Sequence, residues 1–351
     1  KAQLQFGKTT VTGVFSEQKS QATTVVSEGG GTLEEFDLFA RDYDENRHFF
    51  LSQYFRDTYN QSLENYPFIN NSGLQITRLE VWITNRSNRT ENVRNIVALQ
   101  DLGESSRVKS FVTVTAAPGA FPDNANNNLN PITIGSGSVL TEGIRDIATV
   151  QQGFGALSTS VQEGFDYIRL ENARKLTNGQ EYVFNPALGY VSLNQRLNND
   201  EVLAVAFQYT VGGEVFQVGE FANDGINATD VNAPANTPNN NQNQVTQVVN
   251  TNLVLKLLKS SITSVDEPVW DLMMKNIYDT GAFNLSPEDF KFNIFYNEAS
   301  PLNFITPVNG TTFPIFNNLT QNPADDRLIQ ETPLLRLFNL DKLNFNNDPQ
   351  T

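Results

Sequence analysis

An alternating aliphatic and aromatic run closed by a Gly-Gly pair constrains this chain more than any other feature. Leu203, Val205, Phe207, Tyr209 and Val211 fall on one side of an extended strand. Val202, Ala204 and Ala206 make the opposite side apolar too, and such a strand must be covered on both faces. Gly212-Gly213 supplies the positive-φ pair of a two-residue turn, and Val215-Phe216-Gln217-Val218 returns. The hairpin 201–221 therefore predicts layered β structure.

The remaining signals fit this frame. Thr9 to Phe15 and Thr23 to Val26 are β-branched stretches. Phe50/Tyr54 and Leu51/Phe55/Tyr59, spaced by four, predict a helix over 46–63, capped by Asp44 or Asn46. Residues 74–84 alternate, with Leu79, Val81 and Ile83 on one face and Arg78, Glu80 and Trp82 on the other. This strand and Ile96–Leu99 read as a hairpin or meander. Residues 141–151 read as a short helix, as does Pro268 to Tyr278 with an apolar face of Trp270, Met273, Met274 and Ile277. Phe290, Phe292, Ile294 and Tyr296 alternate as a strand. The fold class is α+β, mainly β: antiparallel or mixed sheets with a few interspersed short helices.

The expected organisation is an N-terminal β-rich subdomain 1–117 carrying the helix 46–63, then an Asn-rich solvent loop 118–131. A central β subdomain 132–222 ends in the hairpin 201–221. A polar Asn/Gln-rich linker or loop 223–252 leads to a C-terminal α+β part 253–351. The first residue is Lys1 and the last five are Asn-Asp-Pro-Gln-Thr, so the expectation is a processed product or an excised piece.

Composition removes several function classes. The formal net charge of −15 opposes binding to phosphate backbones, so no DNA or RNA partner is expected. With no cysteine there are no disulfides, thiolate metal sites or cysteine nucleophiles. About one residue in eight is asparagine, which with few lysines suits a bacterial exported β protein.

Several long strings resemble one family. They are Tyr43 to Asp57; Leu79 to Asn85 with Asn95 to Glu104; and Leu188 to Leu193 with Glu201 to Thr210. Val218 to Phe221 and Trp270 to Tyr278 add to them. Spread from about residue 6 to 348, they resemble the SprA/Sov proteins of Bacteroidetes. That family forms a very large outer-membrane β-barrel of type IX secretion and gliding motility, several times longer than this chain. The resemblance implies a soluble extracytoplasmic region of that translocon, on the periplasmic or the cell-surface side. Its implied partners are other parts of the barrel, a PorV-like shuttle protein, a plug protein and secreted cargo. It implies no catalytic motif, cofactor or metal. The rival readings are a stand-alone surface binding module, carbohydrate-binding or adhesin-like, and a surface hydrolase.

Local chemistry points the same way. His48 is the single histidine, so any Ser-His-Asp triad would have to use it; without a Gly-x-Ser-x-Gly elbow it reads as a capping or packing residue. Asp42 to Asn46 opens like a Ca²⁺ loop. Arg47 and Gln53, however, stand where such a loop needs glycine and a bidentate glutamate, so helix capping is the reading there. The pairs Glu34-Glu35 and Asp325-Asp326 would point to opposite faces of a strand. Gly29-Gly30-Gly31 lacks the lysine of a phosphate loop. Trp82 is the candidate partner anchor, unless another layer covers it. The expectation is a non-enzymatic protein with no catalytic, cofactor or metal residues.

Overall fold

The structure is a computed structural model. It describes residues 36–281 apart from 66–67, 88, 224–228 and 233–246, together with Ile294. Of residues 229–232 and 247–249, and of short strands nearer both ends, only the backbone is described. The chain forms two compact units, Lys1–Thr24 with Glu35–Thr280, and Val25–Glu34 with Gly281–Thr351. In the second unit the described backbone consists of short antiparallel pairs, such as Val26–Glu28 with Gly31–Leu33 and Phe304–Ile305 with Thr332–Pro333. In the first unit, Ala2–Phe6 pairs with Thr9–Gly13.

The core of the first unit is built from β1 (His48–Phe50), α1 (Gln53–Ser62), β2 (Gln75–Ile83), β3 (Val93–Leu99), α2 (Val150–Gly153), β4 (Tyr167–Lys175), β5 (Tyr182–Asn185), β6 (Tyr190–Leu193), β7 (Leu203–Val211), β8 (Glu214–Val218) and β9 (Leu253–Lys259). Five strands close on themselves in the order β2-β7-β9-β3-β4-β2. All pairings are antiparallel except β9 with β3, where Leu253 to Lys256 run parallel to Ile96 to Leu99. The closing seam is short, Trp82 opposite Lys175 and Ile83 opposite Arg174. A ring of so few strands is filled by its own side chains. The stretches 1–117, 132–222 and 253–351 each contribute strands to it.

The hairpin is as the sequence indicates. Val211 faces Glu214 across Gly212 and Gly213, both at positive φ, and Leu203 to Phe207 are fully buried. On one face of β7, α1 lays Phe55 against Phe207 and Tyr209, with ring centroids 6.0 and 6.1 Å apart. A second sheet, β1-β6-β5, packs its Phe50 and Tyr190 against Tyr59 of α1.

Several expectations are corrected. The helix predicted over 46–63 begins at Gln53, because His48–Phe50 is taken as a strand by β6. Asn46 at φ 60° and an extended Ser52 break the backbone on either side. The four-residue aromatic spacing is satisfied by a strand packing on a helix. Pro268 to Leu272 forms a short 3₁₀ turn and stops. Met273 is then extended, bridging Phe49, while the Met274 amide donates to the His48 carbonyl. The 141–151 helix is a 3₁₀ turn, Glu142–Arg145, followed by the one-turn α2. β2 and β3 are not a hairpin: β4 lies between them and pairs with both. Of the strand expected around Phe290 to Tyr296 only Ile294 has a described side chain, and the acidic pairs and Gly29-Gly30 lie outside the described residues.

The Asn-rich loop is not a solvent loop. Asn124, Asn126 and Asn127 are buried, and their amides bond backbone carbonyls: Asn126 to Gly103 and Phe121, Asn127 to Asp101 and Glu104, and Asn124 to Gly219. Asparagine is cheap to bury when its amide replaces the hydrogen bonds that loop carbonyls would make with water.

Candidate functional site

The polar segment 223–252 leaves and re-enters the fold at one point, and that point is held by charge. Phe221-Ala222 on the outgoing side and Thr251-Asn252 on the returning side meet Arg94 of β3. Its guanidinium donates to the Ala222 carbonyl at 3.2 Å and the Thr251 carbonyl at 3.3 Å. The Ala222 amide donates to Glu80 of β2 at 3.1 Å, and the other Glu80 oxygen meets Lys175 of β4 at 2.6 Å. Glu220 takes a two-pronged bond from Arg145, at 2.5 and 2.6 Å, and also accepts the Val254 amide at 2.8 Å. Arg145 reaches the Asn252 carbonyl as well, and the Asn252 amide returns to the Arg145 carbonyl. Arg78 sits 3.7 Å over the ring of Phe221.

Bidentate arginine–carboxylate bonds fix orientation as well as distance. The root of the segment is therefore tied to β2, β3, β4 and β9 together. Just outside it, Thr229–Asn232 and Gln247–Asn250 pair antiparallel as a ribbon. The arrangement has no reactive chemistry; it presents a polar ribbon from a fixed point.

Trp82 is not an exposed anchor. It is 1% exposed: at the closing seam β4 pairs beside it, Trp82 opposite Lys175, and the Lys175 ammonium lies 5.8 Å from the centre of the indole. Glu80, on the same face of β2, is buried in the network above. Asp42 to Asn46 makes no cation loop, and among the described residues no group of three acidic or histidine side chains is placed to hold a metal. Asp44 instead accepts from Arg47 at 2.8 Å, from Arg196 at 3.2 Å and from His48 at 3.2 Å. The other His48 nitrogen, Nδ1, lies 2.8 Å from the Ser192 hydroxyl. A surface hollow lined by Tyr54, Thr58, Asn70, Asn71 and Leu188 holds only about 100 Å³, well below the roughly 300 Å³ at which ligand pockets begin.

The family described as SprA_N, motility related/secretion protein, matches residues 1–211, from the N-terminal strands through β7. The chain belongs to the SprA_N family. No curated protein matches it. In this SprA_N chain no described helix is long and apolar enough to cross a membrane.

A second buried polar cluster joins Gln100, Asp101 and Glu104 of the matched stretch to Lys256 beyond it. Lys256, 1% exposed in the middle of β9, meets Glu104 at 2.8 Å and donates to the Gln100 carbonyl. Asp101, 4% exposed, accepts the Lys109 amide at 3.0 Å, and its second oxygen has no hydrogen-bond partner. Burial pushes the Asp101 carboxyl up to about 6, and the Glu104 and Asp166 charges add to it against Lys256. In the unfolded chain it would titrate near 3.8. The folded SprA_N chain therefore holds an extra proton between those values, and that stabilisation is lost as pH rises. Replacing Asp101→Asn is expected to leave stability near pH 4 almost unchanged and to raise it by on the order of 2–3 kcal/mol at pH 7. Urea titrations at both pH values read the difference; an equal effect at both would remove the titration.

The sequence offered one signal for these groups. Lys256 is a lone charge in the apolar run Leu253 to Leu258, and a charge there needs a partner. Nothing local marks Glu104, Arg94, Arg145 or Glu220, whose partners lie far away in the chain.

Proposed function

We propose that this chain is a soluble extracytoplasmic region of the giant outer-membrane translocon of type IX secretion. In this reading it acts without catalysis, as a structural and interaction element in protein export to the cell surface and in gliding. The family membership supports the setting. The single structural observation that supports the role is the ionic clamp, through which Arg94, Arg145, Glu80 and Glu220 hold both ends of segment 223–252 against the five-stranded ring. A rigid base lowers the ordering cost of an interaction made by what it carries. The partners in this reading are other parts of the barrel, a PorV-like shuttle, a plug protein and cargo.

Replacing residues 226–249 with a short Gly-Ser turn tests the reading. The clamp and ring lie outside the exchanged residues, so the thermal midpoint of the purified chain is expected to move by only a few degrees. In cells, cargo export and gliding are expected to fall severely. Normal export and motility with the exchanged protein would rule out the segment as the interaction element.

A further inference from the structure

We infer that Ser192 is an activated nucleophile, a modification site that takes one acyl or phosphonyl group from a small electrophile. The inference is independent of the export reading and rests on a relay of three side chains that the fold assembles from distant positions. Register places Ser192 of β6 directly opposite His48 of β1 and opposite Val183 of β5. Ser192 and His48 thus share one face of the small sheet. The Ser192 hydroxyl lies 2.8 Å from His48 Nδ1, and His48 Nε2 lies 3.2 Å from Asp44 Oδ2.

The surrounding charges fix the direction of this relay. Arg47 Nη1 meets Asp44 Oδ2 at 2.8 Å, and Arg196 Nη2 meets Asp44 Oδ1 at 3.2 Å. Burial alone would raise the Asp44 carboxyl, but the bonds from Arg47, His48 and Arg196 outweigh it and hold Asp44 below the usual carboxylate range. Burial pulls His48 below its ordinary value, against the opposing pull of Asp44, so the imidazole is neutral at pH 7. An ionised Asp44 accepts the Nε2 proton, which leaves Nδ1 bare to accept the hydroxyl proton of Ser192. Arg47 Nε donates to the Leu193 carbonyl at 2.8 Å, which ties the two strands together at the serine.

Ser192 is partly exposed, and Val183 beside it is 49% exposed, so the row opens to solvent at the serine end while His48 and Asp44 stay covered. With a fluorophosphonate, the Ser192 oxygen attacks phosphorus. The O–P bond forms, the P–F bond breaks, fluoride leaves, and the hydroxyl proton passes to His48. An activated ester would react in the same way, losing its phenolate. Ser192 stands in mid-strand and not at the start of a helix, so no pair of helix-start amides awaits an oxyanion. The expected product is one stable adduct per chain and not turnover.

The probe is a biotinylated alkyl fluorophosphonate, applied to the whole chain and mapped by peptide mass. A single adduct at Ser192 is expected. Its rate should rise with pH through a titration below 6.5 and then level off. His48→Asn should slow it about 100-fold, the lower end of what a general base contributes, and Ser192→Ala should abolish it. Absence of an adduct on the parent chain overturns the inference, as does labelling spread over several hydroxyls. So does a rate that follows solvent hydroxide with no levelling. Because the parent's adduct position and pH profile decide the question, it stands or falls even if a variant does not fold.

Discussion

Lys256→Met is expected to destabilise the folded chain by about 3–5 kcal/mol, the range found when one member of a buried ion pair is removed. Lys256 and Glu104 are 1% and 2% exposed and meet at 2.8 Å. Removing the ammonium strands a carboxylate where water cannot reach it. Glu104 has a second task. The first-turn amide of α1, Gln53 N, donates to its two oxygens at 3.0 and 3.3 Å, whereas Ser52 at the cap position supplies no side-chain bond. A negative group at a helix start also meets the positive end of the dipole. Glu104→Leu should therefore cost at least as much as Lys256→Met. The double variant should cost less than the sum, because no charge is then left unpaired; only the cap, worth about 1 kcal/mol, is missing. Urea unfolding of the four proteins reads this directly. Additive losses would mean that the two groups do not act as a pair.

Gly189→Ala is expected to cost about 2–4 kcal/mol through backbone strain and overpacking together. Gly189 stands at φ 64°, and an added Cβ would lie 2.1 Å from Phe55 Cδ1 and 2.3 Å from Phe55 Cγ. Phe55 cannot retreat, because its ring is packed against Phe207 and Tyr209. The Gly189 carbonyl also accepts the Leu51 amide at 3.0 Å, so a shift there would pull on the junction of β1 and α1. Gly212→Ala has the same positive φ but open space around it, and it should lose only the conformational part, near 1 kcal/mol. Equal losses at the two positions would show that the Phe55 contact does not matter.

What could be read from the sequence was whatever depends on neighbours in the chain. The β7–β8 hairpin follows from a two-faced apolar run and a Gly-Gly turn. The alternation of β2 was legible too, but whether its Trp82 face would be covered was not, because ring closure through Lys175 depends on residues more than 90 positions later. The spacing of Phe50/Tyr54 and Leu51/Phe55/Tyr59 rightly indicated a helix through Tyr54, Phe55 and Tyr59 and misled only about its start, since β6 claims His48–Phe50 as a strand. The buried asparagines of 124–127 read as solvent-facing because composition does not show which carbonyls they will meet. The clamp at Ala222 and Thr251 stayed hidden for the same reason. Likewise, the partnership of His48 with Ser192 is a matter of strand register across 144 positions and leaves no local trace.

The parallel pairing of β9 with β3 bears on how such a chain can be made. Leu253 lies alongside Ile96, more than 150 positions earlier. During synthesis or stepwise passage through an envelope, N-terminus first, β3 and β7 emerge with one flank each awaiting β9. Until that last strand arrives, their backbone amides and carbonyls offer an open template to any extended peptide nearby. Maturation therefore has a vulnerable interval whose length is set by the delivery of residues 212–259, and a holding chaperone would have its greatest effect in that interval.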